Sequence, residues 1–179
     1  MQANTYMAFL GHTRLALGDL RSVLTAAWPH RNQPSNLLLI FRWDTGVQCD
    51  FDWSGTLEEV LDKADPPAAK VGPGRPRLGV VSTEVTLLPR HWDWLNAQPA
   101  RASGTLRRLV EEAMARQQAD PQHRREVLGK ILWALAGNQP GFEEASRALY
   151  AGDGAALKAL ASHWPGDLPA LVTEALVDL

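Results

Sequence analysis

A chain of 179 residues, 45% apolar and 21% charged, has the composition of a globular protein and the length of one large domain or two small ones. Its net charge of −2 points to no particular partner, and a single cysteine, Cys49, excludes an internal disulfide or a cysteine-based zinc site. No stretch approaches the roughly 20 apolar residues of a membrane span, and no basic start followed by an apolar run marks a signal peptide. The expected location is therefore the reducing cytoplasm.

Charge is unevenly spread. Residues 1–69 hold 5 basic and 8 acidic side chains, residues 70–130 hold 11 and 6, and residues 131–179 hold 2 and 6. A basic middle between acidic ends is where a polyanion would bind.

In chain order, "TYMAFLGHTRLALGD" (5–19) predicts two strands meeting at Gly11-His12. "DLRSVLTAAW" (19–28) shifts to helical spacing, with Leu20, Val23, Leu24 and Ala27 on one face, Asp19 as N-cap and Pro29 as the stop. "NLLLIFRWDTGVQCDFDW" (36–53) reads as a second hairpin turning at Asp44-Thr45-Gly46. "SGTLEEVLDKA" (54–64) is a short helix capped by Ser54 or Thr56. Together these predict a small ββαββα module over residues 1–64. "DPPAAKVGPGRPR" (65–77) has four prolines interleaved with glycines and holds neither helix nor central strand, so residues 65–78 are a basic arm or linker.

Residues 79–118 predict strand, helix, turn and helix. Val81, Thr83, Val85 and Leu87 alternate with Ser82, Glu84 and Thr86, which places the two sets on opposite faces of a strand. Pro89 opens a helix that Pro99 ends, and Trp92 and Leu95 lie three apart within it. Ser103 or Thr105 can cap the next helix, whose stripe is Leu106, Leu109, Val110 and Ala113. Residues 119–179 predict four further helices (121–137, 141–152, 154–164 and 168–178), with glycine and proline at each join. Tryptophans 92, 94, 133 and 164 fall in these helical segments, where core anchoring is the expected role.

One strand followed by two short helices cannot close a core or satisfy its own edges. A second copy would. The segment resembles the ribbon-helix-helix family in element order and in the placement of Pro89, Leu95 and the capped second helix. That resemblance implies a homodimer whose two-stranded ribbon enters the major groove of duplex DNA. It would put Ser82, Glu84 and Thr86 at base edges. The amides around Ser103, Gly104 and Thr105 would clamp a phosphate, with Arg101, Arg107 and Arg108 adding charge. The sequence departs from the family in a short first helix, two tryptophans within it, and the acidic Glu84 on the groove face. Gly74-Arg75-Pro76-Arg77 resembles the core of an AT-hook, implying that Arg75 and Arg77 reach a narrow A·T minor groove, although Pro73 stands where a leading arginine is usual. The competing readings are an internal strand-helix-helix of a monomer and a stiff, solvated linker.

Other motifs carry less. Asp44-Thr45-Gly46 has the triplet of an aspartic protease but only one copy, and a turn explains it. Asp50 and Asp52 share a strand face and could hold a divalent cation; a wet face, with Cys49, Phe51 and Trp53 inward, is the simpler account. His12, His30, His91, His123 and His163 lack the spacing of a helical metal site, and no phosphate- or dinucleotide-binding glycine pattern occurs.

As a whole the chain resembles an uncharacterised bacterial family, a domain of unknown function. "GRPRLGVV", "EVTLLPRHWDWL", "TLRRLVEEA" and "PGFEEASRALYAGD…HWP" carry the resemblance, which implies a bacterial cytosolic protein and supplies no activity. The expectation is an α+β protein, with no cofactor and no catalytic residue assigned. It binds double-stranded DNA as a homodimer, in transcriptional regulation, and its terminal regions take a ligand or protein partner. The alternative is a protein-interaction or scaffold module whose arginines are merely solvated.

Overall fold

The computed structural model describes residues 5–34, 37–66 and 83–177. It is α+β and mostly helical, and it divides into two units. The first combines Met1–Pro66 with Gln118–Leu179, and the second is Pro67–Gln117.

The first unit is built on a three-stranded antiparallel sheet, β1 (Tyr6–Leu10), β2 (Thr13–Gly18) and β3 (Leu38–Arg42), in the order β2-β1-β3. The hairpin expected over 5–19 forms, with Gly11 at φ +57 in its turn, a conformation a Cβ resists. Strand periodicity divides the sheet into two faces. Met7, Phe9 and Phe41 enter one core, while Ala8 and Ile40 enter the other.

The second of these cores is closed by α1 (Leu20–Ala27) and α2 (Leu57–Ala64). Asp19 caps α1 through the Ser22 amide. Thr56 caps α2 in a reciprocal box, its hydroxyl accepting from the Glu59 amide and the Glu59 carboxylate accepting from the Thr56 amide. The larger core lies on the opposite face, under α5 (Pro121–Ala136), α6 (Phe142–Ala151), α7 (Gly154–Ala161) and α8 (Leu168–Val177). Both terminal regions thus contribute to one hydrophobic interior. The hairpin is tied to α8 by polar contacts as well. Arg14 makes a paired contact with Glu174 at 2.5 and 2.9 Å, its amide donates to Asp167, and the Asp167 amide donates to the His12 carbonyl. Arg14 and Glu174 shift each other in the expected directions, the guanidinium upward and the carboxyl downward.

Two expectations need correction here. The fourth strand of the ββαββα module does not form: beyond β3 only an isolated bridge joins Phe41 to Gln48. The Asp44-Thr45-Gly46 turn explains this, because it packs onto α5 instead of continuing a ladder. A Cβ on Gly46 would lie 2.6 Å from the Val127 carbonyl oxygen. Phe51 and Trp53 still pack inward, against the second core. Asp52 is held by the Lys63 ammonium (2.8 Å) and the Ser54 amide, which keep its carboxyl well below the usual carboxylate range. The tryptophans are the second correction. Trp164 anchors the larger core and donates to the Pro140 carbonyl, but Trp92, Trp94 and Trp133 are all exposed, Trp133 by 73%. Helical spacing shows which residues share a face, not whether anything covers that face.

The second unit carries α3 (Pro89–Ala97) and most of α4 (Arg101–Ala119). Pro89 opens α3 as expected, and Gln98, Pro99 and Ala100 make the turn. The start of α4 precedes the expected cap: the helix begins at Arg101, whose amide bonds the Gln98 carbonyl and whose φ is +51.

Candidate nucleic-acid interface

The segment from residue 83 to residue 119 has the local order irregular chain, helix, tight turn, helix. Residues 83–88 take no regular structure within the single chain, so the strand expected over 81–87 has no ladder over its described part. The expected alternation is also absent there, since Thr83, Glu84, Val85 and Thr86 are all exposed and only Leu87 is partly covered. A strand acquires a covered face only when a neighbour pairs with it. Ser82, Arg75 and Arg77 lie outside the described residues.

The remaining candidates sit on the first two turns of α4. Arg101 is its first residue, and its side chain has no partner among the described residues. The Ser103 hydroxyl accepts from Arg107 Nη2 at 3.2 Å. Arg108 pairs with Glu112 at 2.7 Å, and Arg116 reaches the same carboxylate at 3.9 Å. Thr105 is different. It is 1% exposed and its hydroxyl has no partner, so within this chain it is a packing residue and not a surface phosphate ligand. Its position, four residues into the helix instead of at the cap, is the reason: the helix started earlier than cap chemistry suggested.

Electrostatically this helix end is unusual. The first turn of α4 contains no acid, and three arginines occupy its first two turns. A helix N-terminus carries partial positive charge, so cations there lower helix stability and an anion restores it. The first-turn amides of Ala102, Ser103 and Gly104 have no acceptor four residues back within the helix and remain available to such an anion. Arg90, in the first turn of α3, is likewise unpaired among the described residues. Its place directly after the helix-opening Pro89 is the sequence signal that marks it.

The apolar side chains of the same segment are mostly uncovered. Of α3 and α4 together, only Leu95 and Thr105 are buried. Val85 (53%), Leu88, Trp94, Val110 and Met114 (53%) are half exposed or more.

With the geometry in place, the class of molecule is an α+β protein whose small sheet is sandwiched between two helical layers, interrupted in sequence by a helical segment rich in exposed apolar and basic side chains. The chain belongs to the family described as an uncharacterized protein conserved in bacteria (DUF2239), whose model matches residues 5–175. No curated protein and no solved structure shows a significant match to it. No helix among the described residues is long and apolar enough to cross a membrane.

Proposed function

We propose that residues 79–118 are a self-association element through which the chain forms a homodimer, and that the dimer binds duplex DNA as a regulator of transcription. One observation carries the association: an irregular segment over residues 83–88 and two helices that bury two side chains while exposing Val85, Leu88, Trp94, Val110 and Met114. Exposed apolar side chains concentrated in one segment mark an interaction surface. A second copy answers both needs, supplying a pairing edge for residues 83–87 and cover for the helices. The DNA half of the reading is supported by the acid-free, arginine-bearing start of α4 and by the sequence of the arm with Arg75 and Arg77. In the paired ribbon Ser82, Glu84 and Thr86 would meet base edges, and the α4 amides with Arg101, Ser103, Arg107 and Arg108 would meet phosphate.

Light scattering at micromolar concentration tests the first half, and a mobility shift on mixed-sequence duplex tests the second. The expected results are a dimer and binding that weakens steeply with salt, because each neutralised phosphate releases counterions. A monomer removes the ribbon. A dimer without binding at ~50 mM salt leaves the second reading, a protein-interaction module without nucleic acid. That reading is favoured by one specific observation: Glu112 already engages both Arg108 and Arg116.

A further inference from the structure

Arg125 of α5, Leu149 of α6, Gly152, the first turn and Lys158 of α7, and Leu176 of α8 line a cleft of about 330 Å³. All belong to the first unit. Small-ligand sites occupy roughly 300–1,000 Å³. Glycines keep this cleft open. Gly152 ends α6 at φ +76, and a Cβ on it would come within 3.1 Å of Arg125 Nη2. A Cβ on Gly154 would lie 3.1 Å from Leu176 Cδ2.

The two cationic side chains at the cleft have no ion-pair partner among the described residues. Neither the Arg125 nor the Lys158 side chain has a hydrogen bond or ion pair with any described residue. The acid between the two glycines, Asp153, is already committed: its Oδ1 accepts from the Ala156 amide at 2.9 Å and caps α7. The Gly154 and Ala155 amides open α7 and have no acceptor four residues back within it. The cleft therefore offers a guanidinium, an ammonium and two amides beside an apolar wall of Leu149 and Leu176.

We propose that this cleft binds a small amphipathic monoanion, a carboxylate carried on a short hydrocarbon body. Two cations at one cleft with no ion-pair partner among the described residues repel each other, and an anion between them gains from both. A planar carboxylate matches the fork of Arg125. A dianionic phosphate would meet the nearby charge of Asp153 and leave the leucines uncovered. The cleft does not depend on residues 79–118, so a chain that fails to bind DNA leaves this reading untouched.

Calorimetric titration of the full chain with octanoate, against octan-1-ol and inorganic phosphate as controls, tests it. Octanoate is expected to saturate one site per chain, with both controls at least about tenfold weaker, as loss of one charged hydrogen bond or of the apolar contact implies. Arg125→Gln and Lys158→Met should each weaken octanoate by about tenfold. Gly154→Ala keeps the charge and favours the helix, and it should weaken octanoate by narrowing the cleft against Leu176. Thermal unfolding of each variant confirms that it is folded. Octanol or phosphate binding as tightly as octanoate overturns the proposal. So does octanoate binding that is unchanged in both charge variants, or the absence of saturation by ~10 mM, a range weaker than millimolar recognition.

Discussion

Replacing Gly46 and Gly11 with alanine, one at a time, separates two costs that usually arrive together. Both glycines lie in the left-handed region, at φ +66 and +57. A Cβ in that region costs about 1–2 kcal/mol, offset in part by the reduced freedom of the unfolded chain. At Gly11 nothing lies within 4 Å of the added carbon, so the conformational cost stands alone. At Gly46 the same carbon would meet the Val127 carbonyl oxygen at 2.6 Å and Val127 Cα at 3.2 Å. These are backbone atoms of α5 and cannot rotate away, so the turn and the helix must separate. Overpacking of that kind adds about 1–3 kcal/mol. Gly11→Ala should therefore cost about 1 kcal/mol and Gly46→Ala about 2–4 kcal/mol. In a chain of this length that is a difference of several degrees in Tm, at roughly 2–4 °C per kcal/mol. Urea unfolding followed by circular dichroism, with the slope held common, measures both. Equal losses would mean that the Asp44-Thr45-Gly46 turn does not press on α5. The docking of the N-terminal module onto the helices would then be wrong at that point.

Arg101→Gly should stabilise the chain by about 0.5–1 kcal/mol, since glycine relieves a φ of +51 at the cost of some backbone entropy; a loss on chemical denaturation would mean the arginine side chain holds structure. Thr56→Ala removes one half of the reciprocal cap on α2 and should cost about 1 kcal/mol, with no loss on unfolding counting against the box. Acid should destabilise the fold, because Asp19, Asp52, Glu59 and Glu174 all have carboxyls held below their ordinary values of 3.8 and 4.5 by hydrogen bonds and cationic neighbours. A depressed folded value means stability present above the unfolded value, which begins to be lost as pH falls through 4.5 and then 3.8 and is gone only below the lowered folded values. Unfolding midpoints at pH 7, 4 and 3 should fall in that order, less steeply in Glu174→Gln, and a flat profile would contradict the assignment.

Local chemistry made much of the first unit readable in advance. Asp19, Thr56 and Pro121 mark helix starts by mechanisms that act within one turn, and Gly11 marks a hairpin for the same reason. Where long-range packing decides, the sequence was mute. Nothing local distinguishes a turn that opens a hairpin from one that docks on a helix, so the spacing predicts a strand after Gly46 that does not form. Trp133 and Trp164 have similar helical surroundings in sequence and both reach the Phe142 ring, yet only the second is buried, with its indole N–H bonded to the Pro140 carbonyl, a long-range contact that spacing does not show. The cleft of Arg125 and Lys158 was missed for a related reason. Its cations stand on different helices, and neither spacing nor composition places them together before α5 to α8 are packed. At the candidate interface, Arg101 and Arg107 were legible as charge, but the burial of Thr105 turned on where α4 begins.

The larger core takes Met7, Phe9 and Phe41 from the start of the chain and closes them under helices that begin at Pro121. A ribosome makes proteins from the N-terminus forward, at roughly 5–20 residues per second. One oily surface of the nascent sheet must therefore wait several seconds, while the whole of Pro67–Gln117 is made, before its lid exists. Enlarging that detour would cost little thermodynamically, only about 0.6 kcal/mol per doubling of a flexible loop. Its length sets how long the newborn chain stays sticky, so for this architecture the hazard is one of timing during synthesis.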